Sequence, residues 1–191
     1  MMGTDLEAAV GKAQSGDRSA FRILVEHHSR DVFRLAFRIT GNEQDAEDTV
    51  QETFLKAFQK LETFDGRASF STWLYRVTAN TALDLLRRRQ REQSRHHSID
   101  ARPALDRELA SDGADPGHLA YAGQLRDLLR RALADLSPLE RTAFVMRHFE
   151  NRPLAEIGSS LGLRESATKQ AVFRAVKKVR KALRPALGKM P

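Results

Sequence analysis

Residues 64–80 read Phe64-Asp-Gly-Arg-Ala-Ser-Phe-Ser-Thr-Trp-Leu-Tyr-Arg-Val-Thr-Ala-Asn80, and the two parts of this stretch obey different rules. From Phe64 to Ser69 an Asp-Gly turn signal replaces any apolar period, so the chain changes direction there. From Phe70 the spacing is helical and runs to about Gln93, with Ser69 or Ser71 as the N-cap. On a helical wheel Leu74, Val77, Thr78, Thr81 and Leu85 share one face, while Trp73, Arg76, Asn80, Asp84, Arg87 and Arg91 line a neighbouring one. An aromatic ring, an amide and guanidiniums in a row suit unpaired bases and their phosphates. Taken alone, a Trp beside an apolar stripe is more often core than a base platform, and Asp84 is equally a structural partner for Arg87 or Arg88.

Upstream, a short helix from about Asp5 to Gln14 stops at Gly16. Asp17 caps a second helix with apolar positions at Phe21, Leu24, Val25, His28, Val32, Leu35 and Ile39, which Gly41 ends. Asn42, with Asp45 three residues on, caps a third carrying Ala46, Val50, Phe54, Phe58 and Leu61. Its Asp45, Asp48 and Glu52 recur at helical spacing with Gln51 beside them. Such a face repels phosphate, which leaves a solvated surface or a protein-docking site.

Downstream, residues 95–117 lose all period and gather His96, His97, Pro103, Gly113, Pro116 and Gly117, the composition of a flexible linker. A Leu-rich helix follows (Leu119, Leu125, Leu128, Leu129, Leu133, Leu136), then Ser137-Pro-Leu-Glu140, a strong helix start whose helix runs to about Phe149. Pro153 to Leu161, the turn Gly162-Leu163-Arg164 and the helix Ser166 to Leu183 spell a helix-turn-helix. Gly158 admits close approach of the second helix, Gly162 a left-handed turn, and Ile157, Leu161, Val172 and Val176 form the expected shared core. Ser166, Lys169, Gln170, Phe173 and Arg174 are placed to reach base edges in a major groove. Lys177, Lys178, Arg180 and Lys181 lie further along, set for phosphate or solvent.

The charge distribution agrees with two anion contacts. The 191-residue chain carries a net +7, but Met1 to Asp65 is −4, Gly66 to Ser98 +5, Ile99 to Asp135 −2 and Arg164 to Pro191 +8. Two separate basic blocks suggest two contacts with one long polyanion. The absence of cysteine removes disulfides, thiolate metal sites and cysteine nucleophiles. No stretch approaches the roughly 18 apolar residues of a membrane span and no signal peptide is evident, so a cytoplasmic protein without membrane insertion is expected.

The run Asp45-Ala-Glu-Asp-Thr-Val-Gln-Glu-Thr-Phe-Leu-Lys-Ala-Phe58, with residues 64–80 and Asp84-Leu-Leu-Arg-Arg88, resembles regions 2.1 to 2.4 of the extracytoplasmic-function (ECF) sigma factors of the sigma-70 family. The second half, Leu136-Ser-Pro-Leu-Glu-Arg141 through Glu156-Ile-Gly158 to Arg174-Ala175, resembles region 4. The resemblance implies an all-α protein: a region 2 bundle at 1–94, a linker at 95–117 and a region 4 helix-turn-helix domain at 118–191. It implies a promoter-specificity subunit of RNA polymerase, with no catalysis of its own and no cofactor, whose partners are core polymerase through the β′ clamp and β flap, promoter DNA and an anti-sigma factor.

By the same resemblance Asp45, Asp48, Gln51, Glu52 and Phe54 dock on the clamp. Phe64, Arg67, Ser69, Phe70, Trp73, Arg76, Asn80, Asp84, Arg87 and Arg88 hold the melted minus-ten strand, one base of which flips into the 64–70 loop. Arg164, Ser166, Lys169, Gln170, Phe173, Arg174, Lys177 and Lys178 meet the minus-thirty-five duplex. Two positions depart from the family pattern: Ala171 stands where a phosphate-binding arginine is common, and Gly158 where alanine is usual.

Two other readings use less of the sequence. A stand-alone helix-turn-helix regulator leaves the Trp73 helix and the acidic face unused. An enzyme finds no support: His27-His28, His96-His97, His118 and His148 have no metal-ligand spacing, and no Walker-type loop or nucleophile elbow occurs.

Overall fold

The computed structural model describes residues 2–95, 123 and 127–187, and the described residues are helices joined by turns. The chain divides into two compact units, Met1–Arg91 and Glu92–Pro191. The expected linker falls almost wholly on 96–117, outside the described residues, as do Leu119, Leu125, His96, His97 and His118.

The first unit contains α1 (Met2–Gln14), α2 (Arg18–Thr40), α3 (Glu43–Lys60), a 3-10 turn (Leu61–Thr63) and all but the last turn of α4 (Phe70–Arg95). Each boundary has a local cause. Asp17 Oδ1 accepts the amides of Ser19 and Ala20. Gly41, in the left-handed region at φ 85°, closes α2 by donating to the Phe37 carbonyl. Asn42 Oδ1 accepts the Asp45 amide at the start of α3. Of the two cap candidates for α4, Ser69 serves, since its hydroxyl accepts the Thr72 amide at 3.2 Å.

Leu24, Ile39, Leu61, Leu74 and Leu83 are fully buried in this unit. Complete burial of a leucine-sized side chain contributes about 2 kcal/mol each. The core side of α4 is wider than its apolar stripe suggested, because Ala79, Ala82 and Leu83 are buried as well as Leu74 and Leu85. Buried threonines close their own hydroxyls onto the preceding turn: Thr49 donates to the Asp45 carbonyl and Thr78 to the Leu74 carbonyl.

The second unit contains helical residues 127–134 (α5), α6 (Pro138–His148), α7 (Leu154–Leu161) and α8 (Glu165–Leu187). Ser137 and Glu140 form the reciprocal capping box of α6, with Pro138 in its first turn. Pro153 is the N-cap of α7 rather than its first residue. Gly162, at φ 64°, supplies the left-handed turn into α8.

The helix-turn-helix core differs from expectation by one position in register. Ile157 is buried, but α8 buries Thr168, Ala171, Ala175 and Val179, while Leu161, Val172 and Val176 are only partly covered. Small residues at 171 and 175 let α8 approach closely, which also accounts for Ala171: an arginine there would point into the core. Gly158 belongs to the same contact, since a Cβ on it would stand 2.9 Å from Thr168 Oγ1 and 3.0 Å from the Leu163 carbonyl. A glycine here goes with a threonine at 168.

Candidate nucleic-acid and protein interfaces

Three surfaces gather the residues singled out in the sequence. On α3, Asp48, Gln51 and Glu52 are exposed, and Leu55, one turn further on, continues their stripe at 53% exposure. Glu52 pairs with Lys56 across one turn. Two residues expected on this face do not lie on it. Asp45 is 2% exposed, takes the Asn42 side-chain amide at 2.7 Å and forms an ion pair with Arg89 of α4. Phe54 is buried in the cluster with Leu24, Ala57 and Leu74. Asp45 faces α4 and pairs with Arg89 there, so the exposed acidic stripe begins one turn later. Leu55 escaped the sequence reading, although its spacing of three and four from Glu52 and Gln51 places it on that stripe.

At the mouth of α4, three rings pack together: Phe64 lies 5.4 Å from Trp73, Phe70 5.6 Å from Trp73 and Phe64 5.9 Å from Phe70, between centroids. His28 of α2 adds a fourth ring, 5.4 Å from Phe70; burial, and then its neighbour His27, hold it below its ordinary pKa of 6.5. Phe70 is buried, so it supports this surface from beneath; Phe64 and Trp73 are partly covered and form its edge. The loop before them has its own framework. The Asp65 carboxylate accepts the Arg67 amide at 3.1 Å and pairs with Arg67 Nε at 2.7 Å, leaving Arg67 and Ser69 exposed.

Along α4, Arg76 and Asn80 are half-buried, Asn80 donating to the Arg76 carbonyl at 3.0 Å. Asp84, Arg87 and Arg88 are exposed, and Asp84 lies 3.8 Å from Arg87. The helix therefore carries an aromatic ring at its start, Arg76 and the Asn80 amide in the middle and the exposed guanidiniums of Arg87 and Arg88 beyond Asp84, groups suited to bases at one end and phosphates at the other.

On α8, Ser166, Lys169, Gln170, Phe173 and Lys177 form one exposed stripe opposite the buried Thr168, Ala171, Ala175 and Val179. Phe173, 68% exposed, sits at its centre. Lys169 Nζ lies 2.6 Å from Glu165 Oε1, and its hydrogen bond holds that carboxyl below its ordinary range. Arg164 is exposed in the turn.

Arg174 and Lys178 lie to one side of the stripe, and both reach Glu140 of α6, Arg174 Nε at 3.1 Å and Lys178 Nζ at 2.7 Å. Glu140 is buried. Burial pushes its carboxyl up, but hydrogen bonds from Lys178, the Ser137 amide and Arg174 outweigh this and hold it below 4.5. The sequence places Arg174 within reach of base edges and Lys178 for phosphate or solvent; in the fold both are engaged by Glu140. Nothing local to α8 signals that engagement, since the carboxylate belongs to another helix.

The surfaces divide by chemistry into an acidic stripe with an apolar residue, a ring cluster leading into guanidiniums, and a basic helix on a helix-turn-helix. The sigma-70 region 2 family matches residues 24–92, and sigma-70, region 4 matches 126–179. The chain is 27% identical over 185 residues to the ECF RNA polymerase sigma factor SigW of Bacillus subtilis, covering 94% of this chain and 97% of that one. It is 30% identical over 180 residues to the RNA polymerase sigma-H factor of Pseudomonas aeruginosa, covering 93% of each. Its fold resembles that of the sigma factor RpoE solved in complex with the anti-sigma factor NepR from Bartonella quintana, with a TM-score of 0.65 at 20% identity over 86% of this chain and 96% of that one. With regions 2 and 4 in order and relatives matched along nearly their whole length, the chain belongs to the sigma-70 family of RNA polymerase sigma factors, in the ECF group.

Proposed function

We propose that this protein is the promoter-specificity subunit of a bacterial RNA polymerase, with region 2 at 1–94 and region 4 at 118–191 joined by a linker at 95–117. The observation that carries the reading is the coexistence, within one compact unit, of the acidic α3 stripe and the ring-to-guanidinium face of α4. A DNA-binding module alone has no use for the first, and a protein-docking module no use for the second. Asp48, Gln51, Glu52 and Leu55 bind the β′ clamp, and the second unit meets the β flap.

In this reading Phe64, Trp73, Arg67 and Ser69 at the loop, with Arg76 and Asn80, engage the melted minus-ten strand, and Arg87 and Arg88 hold its phosphates. Phe70 supports the rings, and Asp84 orients Arg87. The α8 stripe of Ser166, Lys169, Gln170, Phe173 and Lys177, with Arg164, Arg174 and Lys178, reads the minus-thirty-five duplex from the major groove. Bond-making belongs to core polymerase, so the protein is not itself an enzyme, and it acts in the cytoplasm with that partner. Among the described residues no helix is long and apolar enough to cross a membrane. The RpoE relative solved with NepR supports an anti-sigma partner here too.

The test is reconstitution. The full chain added to core polymerase yields discrete transcripts from a promoter selected out of a random library, and it co-purifies with core. DNA binding without core binding would favour a stand-alone regulator.

A further inference from the structure

The loop that follows the 3-10 turn is tied to a helix outside both family matches. Gln14, the last residue of α1, directs its side-chain amide across the unit: Nε2 donates to the Leu61 carbonyl at 3.1 Å and to the Phe64 carbonyl at 2.8 Å. Both amide hydrogens are thereby used, and the two acceptors flank the point where regular structure ends. An extended loop offers its carbonyls no helical ladder, so each needs a partner from elsewhere. Phe64 in particular has its amide bonded back to Leu61, its carbonyl held by Gln14 and its ring against Trp73 and Phe70.

The donor is itself anchored. Ala9, Val10 and Ala13 of α1 are buried in the same core cluster as Leu61, Phe70 and Leu74. The position of Gln14 is therefore set by the core rather than by the loop. At the far end Ser69 caps α4, and between the two ends Asp65 bonds to Arg67. The segment 64–69 is thus held at entry, middle and exit, and the entry hold is the one contributed by a distant element.

We propose that Gln14 is a positioning residue for base recognition: α1 braces the entrance of the 64–69 loop through this amide, which sets where Phe64 and the following residues meet an unpaired base. The proposal rests on the reading of that loop as a minus-ten contact. It gives α1 a role in promoter discrimination although the matched region 2 begins at residue 24. Gln14 touches no nucleic acid in this scheme and acts through the Phe64 carbonyl.

The experiment uses the full chain assembled with core polymerase and single-stranded oligonucleotides of a selected minus-ten element, with each of the four bases placed in turn at every position. Two variants are compared. Gln14→Glu keeps shape but turns the donor into an acceptor facing two carbonyls; Gln14→Met keeps length and apolar packing with no donor, and carries the test if the first does not fold. In both, the ratio of binding between preferred and disfavoured bases falls about tenfold. Amide hydrogen exchange at 64–69 accelerates, and core co-purification and duplex binding stay within about twofold of the parent. An unchanged ratio, or an equal loss for all four bases with unaltered loop exchange, overturns the proposal. A parent protein with no base preference overturns the loop reading itself, an outcome visible before either variant is made.

Discussion

Lys178 Nζ lies 2.7 Å from Glu140 Oε2, so the carboxylate that completes the α6 capping box also bonds to α8. Arg174, one turn earlier on α8, takes the other oxygen. One buried side chain thereby links the start of α6 to α8.

Glu140→Gln leaves a capping-box acceptor in place and removes the charge. Both cations are about half exposed, which discounts their share, and we expect a loss near 1 kcal/mol in thermal or urea unfolding. Because the folded carboxyl titrates below its ordinary 4.5, its contribution is complete above that pH and is lost as pH falls through the folded value. The gap between parent and variant should accordingly be widest near neutrality and close as the parent's carboxyl becomes protonated in acid. A gap independent of pH would show that charge is not what Glu140 contributes.

Gly158→Ala places a methyl group 2.9 Å from Thr168 Oγ1 and 3.0 Å from the Leu163 carbonyl. Thr168 is buried and donates its hydroxyl to the Arg164 carbonyl, so moving it aside disturbs that bond, and a cost of about 1–3 kcal/mol follows. Adding Thr168→Ala should recover part of it, because the nearer clash disappears while the carbonyl remains. Strict additivity in a double-mutant cycle would contradict this coupling.

The α3 face should separate into stability and docking residues. Asp45→Ala strands part of the Arg89 charge and Phe54→Ala opens a cavity; they should cost about 2 and 3 kcal/mol of folding stability respectively. Glu52→Lys and Leu55→Ala should leave the melting temperature within about 2 °C and weaken co-purification with core polymerase at least about fivefold. Core binding untouched by both surface changes would remove α3 from the interface.

Asn80→Ala should weaken binding to single-stranded minus-ten DNA more than to duplex, by about 1 kcal/mol, in fluorescence anisotropy. Equal losses on both would mark Asn80 as structural, through its bond to the Arg76 carbonyl.

Lys177→Ala should weaken duplex binding about equally across sequences and lower the slope of log affinity against log salt by about 0.9. Gln170→Ala should instead relax sequence preference with little change in slope. Interchanged behaviour would mean the α8 stripe lies differently against the groove.

The helix starts and the turn of the helix-turn-helix were legible in the sequence. Asp17, Asn42, Ser69, Ser137 and Gly162 each act on amides or carbonyls within a few residues, so contiguous residues carry the whole signal. The two basic blocks and the acidic helix were legible for the same reason: charge counts need no partner.

Sequence alone thus determined the helices, their order, the family and the sign of each surface. Tertiary structure decided which member of each surface is available. Asp45 and Asp48 stand one turn apart on one helix, yet the first is spent on Arg89 and the second faces solvent. Phe54 and Leu55 are neighbours, one buried and one exposed. Arg174 and Lys177 are both basic residues of α8, but only Arg174 is claimed by Glu140. In each pair the outcome depends on a side chain brought from another helix, and Gln14 reaching the Phe64 carbonyl is the same physics at longer range. Helical periodicity identifies a face to within about a turn, whereas burial and pairing depend on what packs against it.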